Sequence, residues 1–310
     1  VSDSAPSRTR IVAAFAAIYL IWGSTYLGIR FAIETIPPFL MGGVRFMLAG
    51  AVLYLFMRSR GHPRPTLQQW RSTAIIGAFL ILGGNGAVAW AEQFVPSGMA
   101  ALIIAILPFW IAIIDWIGPA KTRPSPGVTI GVIVGIAGIV VLIGPAVLDT
   151  SGASSAGLLK GAIVLLVGNL SWALGTIYSR HAQLPKSAFV ATGMEMFSGG
   201  ALLFILALIT REHMQFDLAD VSARSIAGFA YLTTIGSLVG FTAFIWLIQH
   251  QPAARVATYA YVNPVVAVFL GWAIADEPLT PRTLIAAAII IGAVALITTA
   301  RSSSPPQELA

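Results

Sequence analysis

Residues 84–116, GNGAVAWAEQFVPSGMAALIIAILPFWIAIIDW, and residues 240–272, GFTAFIWLIQHQPAARVATYAYVNPVVAVFLGW, read as two versions of one segment. At an offset of 156, Gly84 falls on Gly240, Ala87 on Ala243, Trp90 on Trp246, Gln93 on Gln249, Pro96 on Pro252, Ala101 on Ala257, Pro108 on Pro264 and Trp116 on Trp272. Trp and Pro are scarce enough that two coincidences of each argue for an internal duplication. Working outward, an offset of 150 pairs Trp22 with Trp172, Arg30 with Arg180, Gly50 with Gly200 and Ala51 with Ala201. An offset of 154 pairs Gly138 with Gly292 and Leu142 with Leu296, so the drift marks loop insertions between related halves.

Each half is almost entirely apolar. The 310 residues are 57% hydrophobic and only 10% charged, against roughly 25% charged in soluble domains, which excludes a water-soluble protein. Apolar runs cover 11–33, 39–57, 73–95, 99–118, 127–147, 158–179, 187–209, 226–249, 256–275 and 283–300. A hydrocarbon core takes roughly 20 residues of helix, so these predict an all-α membrane protein of ten transmembrane helices. The first run is too long for a signal-peptide core and is expected as a retained span. The polar stretches 58–72, 148–157 and 210–225 are expected as loops, none large enough for an enzymatic domain. The expected organisation is a cytoplasmic segment 1–10, a first five-helix repeat 11–147, a connecting loop 148–157, a second repeat 158–300 and a disordered cytoplasmic tail 301–310.

A net charge of +6 could suggest nucleic acid, but the 18 Lys and Arg are scattered between apolar runs. With a cytoplasmic N-terminus, 12 of them, from Arg8 and Arg10 to Arg255 and Arg301, fall on the cytoplasmic side. Only Lys160, Arg211, Arg224 and Arg282 fall opposite, so the positive-inside rule predicts cytoplasmic N- and C-termini. The basic excess is a topology signal, and the partner is the lipid bilayer. Five helices per half is an odd number, so the second half enters from the opposite side and the repeat is expected to be inverted around a central cavity. Inverted repeats let secondary transporters expose a midplane site to either face.

Trp22-Gly-Ser-Thr-Tyr26, followed by Pro37-Pro38 and Arg45, and Tyr261-Val-Asn-Pro264-Val through Glu277-Pro-Leu-Thr280, carry a family resemblance. The chain resembles the EamA-like branch of the drug/metabolite transporter superfamily over nearly its whole length, and within it is most similar to the bacterial YddG-type exporters of amino acids. That resemblance implies a ten-helix bacterial inner-membrane exporter with a central cavity. Its expected cargo is amino acids, aromatic and other neutral ones, and related small metabolites. A broad exporter of cationic drugs or other metabolites is the alternative within the superfamily.

No Walker loop is present, so any driving energy comes from a gradient or a partner, and proton coupling is left open. There is no cysteine. His62, His181, His213 and His250 lack metal-ligand spacing, so no cofactor, metal or catalytic residue is expected. An intramembrane enzyme would need a paired Asp or a Ser–His set, and a sensor would need a signalling domain; neither is found. The sequon Asn169-Leu-Ser171 lies inside an apolar run and is a chance match.

Arg45 and Glu195 occupy equivalent positions at the 150 offset, and each charge costs about 2.5 to 3.5 kcal/mol at a helix centre. They are expected to contact a zwitterionic cargo, with Glu195 as a proton carrier, or else to form a structural ion pair or contacts with backbone carbonyls or interfacial water. Asn85, Glu92 and Gln93 share one helix face, as a cargo path with Glu92 as a second proton carrier, or as interhelical hydrogen bonding. Trp90, Trp116, Trp246 and Trp272 lie near helix ends as interfacial anchors. Trp22 with Tyr26, and Asn169 with Trp172, are the preferred cavity lining, completed by Trp110, Tyr259 and Asn263; ordinary packing is the competing reading for each. Pro108 and Pro264 fall mid-helix in equivalent positions and bend their helices, either as gates or as fixed kinks. Gly127, Gly131 and Gly135, and Ala288 with Gly292, form small-residue faces read as scaffold. Both a monomer and a homodimer fit that reading.

Overall fold

The computed structural model describes residues 7–118, 124–148 and 153–302. Among these residues there is no strand, and ten helices follow in order. They are α1 (Arg8–Ala32), α2 (Pro38–Ser59), α3 (Leu67–Ala91), α4 (Ser97–Ile117), α5 (Pro126–Leu148), α6 (Ala153–Ser179), α7 (Ala188–Ile209), α8 (Ala223–His250), α9 (Tyr259–Ala275) and α10 (Pro281–Ser302). Nine are long and apolar enough to cross a membrane, and α9 is a shorter apolar helix preceded by a turn at Ala253–Val256. Residues 1–6 of the expected N-terminal segment, Lys121 and Arg123 of the charge pattern, residues 149–152 of the connecting loop and residues 303–310 of the tail lie outside the described residues.

Several helices run longer than hydrophobicity alone predicts, because polar residues cap them. Thr66 accepts from the Gln69 N–H while the Gln69 side chain accepts from the Thr66 N–H, a reciprocal cap that starts α3 at Leu67 inside the stretch read as loop. Ser187 and Ser222 cap α7 and α8 one-sidedly, accepting from the N–H groups of Val190 and Ser225. Helices α5 and α6 also extend into the expected 148–157 connection, reaching Leu148 and starting at Ala153.

Packing pairs each helix with antiparallel neighbours from the other half. Along α2 and α7, Gly43 meets Phe204, Gly200 meets Met47, Gly50 meets Phe197 and Gly193 meets Tyr54, so residue numbers rise on one helix as they fall on the other. The backbones are so close that a Cβ on Gly43 would stand 2.7 Å from the Phe204 nitrogen and one on Gly200 2.6 Å from that of Met47. Along α5 and α10, Gly127 meets Ala300, Gly131 meets Ile297 and Gly138 meets Ile290. The glycine face of α5 is therefore occupied within the chain, whereas nothing lies within 4 Å of a Cβ placed on Gly292. Helices α3 and α6 run antiparallel too, with Gly84 under the Trp172 ring, Gly168 against Ala87 and Gly175 against Phe79.

Both α3 and α8 widen into a π-helical turn, over Ala78–Asn85 and Leu232–Val239, each ending at a glycine, Gly86 or Gly240. Sequence periodicity does not reveal these turns. They repeat between the halves at matching places and lie beside Arg45 and Trp172.

Candidate functional site

Two proline-bearing helices, α4 and α9, frame a cavity. Pro108 has no N–H to offer the Ile104 carbonyl, and α4 breaks at Ala105–Ile106 before resuming at Leu107. The freed carbonyls are taken by Asn169 of α6, whose Nδ2 donates to Ile103 O at 3.2 Å and to Ile104 O at 3.0 Å. Opposite, Pro264 lies inside α9, and the chain has already turned at Ala257–Thr258 before α9 begins. Between them is a cavity of about 550 Å³ lined by Tyr26, Pro108, Tyr259, Asn263 and Pro264, with Thr176, Thr298 and Arg180 toward one end of the bundle. Five of the residues singled out in the sequence thus come together.

The cavity wall is mostly apolar. Asn263 is 8% exposed and its Oδ1 has no hydrogen-bond partner, leaving a buried acceptor beside the cavity. Tyr26 and Tyr259 supply ring faces and hydroxyls. Among the described residues Arg180 is the one charged side chain in the lining, and it donates to Asp115 at 2.9 Å. The middle of the cavity therefore offers hydrogen bonding and aromatic surface without a formal charge.

The remaining predicted residues are placed elsewhere. Trp22 stands behind Tyr259, with ring centroids 5.3 Å apart, in a cluster with Phe241 and Phe244. Trp172 fills the α3–α6 contact over Gly84, and Trp110 packs edge-on to Phe109 with its Nε1 buried and unpaired. Arg45 is 4% exposed and donates through Nε to Ser237 Oγ in the π-helical turn of α8, with its guanidinium 4.4 Å from the Phe46 ring centre. It makes no ion pair with Glu195, which is half-buried on α7. Neither lines the cavity. Asn85 donates to the Leu80 carbonyl of its own π-helical turn, and Gln93, expected to bond between helices, is exposed and donates to Trp90 O of its own helix. Glu92, on the same expected stripe, is fully buried and is no part of an open path.

A feature that sequence reasoning missed closes the end of the bundle opposite Arg180. Glu277, just past α9, accepts from the backbone N–H groups of Ser97 (2.7 Å) and Gly98 (3.1 Å), the first residues of α4. Glu212, just past α7, accepts from Leu40 N at the start of α2 at 2.8 Å. Each glutamate follows a residue in the left-handed region, Asp276 (φ 52°) or Arg211 (φ 59°), which turns the chain back toward the partner helix. A carboxylate at a helix N-terminus meets free N–H donors and a favourable dipole, so both act as clasps between the halves. The signal in sequence was Glu277 in a quoted motif; nothing local announced Glu212.

A multi-helix apolar bundle, folded in two related halves around a mostly apolar cavity with a few polar groups and held by clasps between those halves, defines the class: a polytopic membrane carrier. The EamA-like transporter family profile matches residues 9–144 and again 159–299, and the chain belongs to that family. The "Uncharacterized inner membrane transporter YedA" of Escherichia coli (strain K12) is 38% identical over 289 residues, spanning 92% of this chain and 89% of the relative. The "Uncharacterized transporter YvbV" of Bacillus subtilis (strain 168) is 22% identical over 94% of this chain and 92% of its own length. A solved structure 20% identical covers 94% of this chain and 99% of its own, with a TM-score of 0.62, and shares the fold. The family is one of transporters, not enzymes.

Proposed function

We propose that this chain is a secondary transporter of a bacterial inner membrane that exports amino acids, aromatic and other neutral ones foremost, and related small metabolites by alternating access. The observation that carries the proposal is the cavity between α4 and α9. Its 550 Å³ suits a single amino acid, since small-molecule sites commonly span about 300 to 1,000 Å³. Asn263 Oδ1 accepts from an ammonium or hydroxyl group, the rings of Tyr26 and Tyr259 attract the ammonium and cover an apolar side chain, and the proline-bent helices supply the hinges. The resemblance to YddG-type exporters supports the same cargo class, and the name of the Escherichia coli relative supports the inner membrane.

Antiparallel packing of the equivalent helices α2 with α7 and α5 with α10 supports an inverted repeat. With cytoplasmic termini, the cavity faces the cytoplasm at its Arg180 end while the two glutamate clasps hold the outer end shut. Rocking one half against the other would open the clasps and close the Arg180 end. A cation-drug exporter would need a carboxylate at the cavity, and among the described residues none lines it.

The test is uptake of labelled Trp, Phe, Thr, Met and Lys into proteoliposomes, with and without a pH gradient. Saturable flux is expected for the neutral amino acids. Asn263→Ala should raise KM about tenfold, the loss of one hydrogen bond to a charged donor, with unchanged thermal stability. Absence of flux for every amino acid from folded protein overturns the cargo assignment and moves the search to organic cations.

A further inference from the structure

The clasped end of the bundle contains a group that cargo binding does not use. Glu92 ends α3, is 0% exposed, and neither oxygen of its carboxyl has a hydrogen-bond partner. Arg30 of α1 reaches this residue but donates to its backbone carbonyl, at 2.7 Å, and not to the carboxyl. The carboxylate of Glu277, engaged in its clasp on α4, is near enough to repel a charge on Glu92, Arg30 is near enough to attract one, and Tyr26 of α1 also feels the Glu92 carboxyl. The charged residues on the flanking helices α2 and α6 are engaged elsewhere, Arg45 on Ser237 and Lys160 over the Trp90 ring at 4.9 Å. Beside the clasp, Ser97 Oγ is also buried without a partner.

Three effects oppose a negative charge on Glu92 here. It is cut off from water, it lies at the negative end of the α3 dipole, and it is close to a second carboxylate. A neutral acid at the same place meets none of the last two and much less of the first. Burial of Glu92 and occupancy by a proton are therefore linked.

We propose that Glu92 is a proton-binding site that governs the Glu277 clasp, the closed end forming only when the Glu92 carboxyl is protonated. Opening the clasp admits water, the proton passes to that water, and the carboxylate then keeps the end open until it is protonated again. The inference deepens the transport reading and rests on it only for the purpose of the motion, because the clasp can be observed without cargo.

The chain has no cysteine, so a single reporter thiol is unambiguous. Ser97→Cys is nearly isosteric and places the thiol in the clasp. Its alkylation rate would be followed from pH 6 to pH 9 in detergent-solubilised protein, relative to Leu218→Cys, which is 75% exposed and corrects for thiol ionisation. With Glu92 present, the corrected rate is expected to rise about tenfold across this range, and with Glu92→Gln, which mimics the neutral acid, to stay low within about twofold. A wild-type pH response retained in Glu92→Gln, or no response in the parent, overturns the proposal. If Glu92→Gln does not give monodisperse protein, Arg30→Gln carries the test: removing the nearby positive charge should move the midpoint to higher pH, and an unmoved midpoint overturns the proposal. Replacing sodium by choline should leave every curve unchanged; a sodium-dependent rate overturns the proton assignment. A chain that carries no amino acid still answers these measurements, so failure here and failure of the cargo reading are separable.

Discussion

At Asn169 one amide does the work that a proline leaves undone. Because Pro108 cannot donate to Ile104 O, that carbonyl would be bare inside an apolar bundle, where an unsatisfied polar group costs about 1 to 3 kcal/mol. Asn169→Leu is therefore expected to destabilise the protein by about that amount, measured by thermal unfolding in detergent. In a Pro108→Ala background, which restores the N–H, the same change should cost less than about 1 kcal/mol, and additive losses would sink the explanation. Arg45 has the same character. Its bond to Ser237 and its absence from the cavity lining predict that Arg45→Ala lowers thermal stability while leaving the KM of any transported amino acid unchanged.

Between elements, the α2–α7 contact leaves no room for side chains. A Cβ on Gly43 would meet Phe204 backbone at 2.7 and 2.8 Å, and backbone cannot swing aside as a side chain can. Gly43→Leu should prevent folding or lower the melting temperature steeply, by a cost of about 1 to 3 kcal/mol or more, whereas Gly292→Leu, in open space, should be silent. The α7–α2 clasp makes a pH prediction. Burial pushes the Glu212 carboxyl above its ordinary value of 4.5, against the pull of the Leu40 and Phe39 N–H groups. A folded value above the unfolded one means that the protonated form favours the fold. The contribution is complete below the unfolded value and is lost as pH rises through the folded one. Thermal stability should thus fall as pH rises from about 4.5, and Glu212→Gln should flatten that slope; an unchanged slope would assign it to other groups.

For the whole molecule, orientation and architecture stand together. A C-terminal reporter is expected on the cytoplasmic side, following the excess of Lys and Arg there. An external reporter would reverse the side to which the cavity opens, with the antiparallel pairing of the halves unchanged. The halves are joined by close glycine contacts along α2–α7 and α5–α10, by the Glu212 and Glu277 clasps on helix N-termini at one end, and by the Arg180–Asp115 ion pair at the other.

Hydrophobicity, the Trp and Pro coincidences and the count of spans determined by themselves that this is a duplicated helical membrane protein, because a bilayer forces backbone hydrogen bonds into helices and leaves length and apolarity as direct readouts. The same sequence singled out Tyr26, Pro108, Tyr259, Asn263 and Pro264, which line one cavity in the fold. It could not separate these from Trp22, Trp110, Asn169 or Trp172. Where every face of a helix is apolar, periodicity does not say which face turns inward. Helix rotation, the two π-helical turns and the pairing of Glu212 and Glu277 with distant helix starts were decided only by tertiary packing, since each depends on which backbone a glycine lets come close and which N–H groups that approach leaves free.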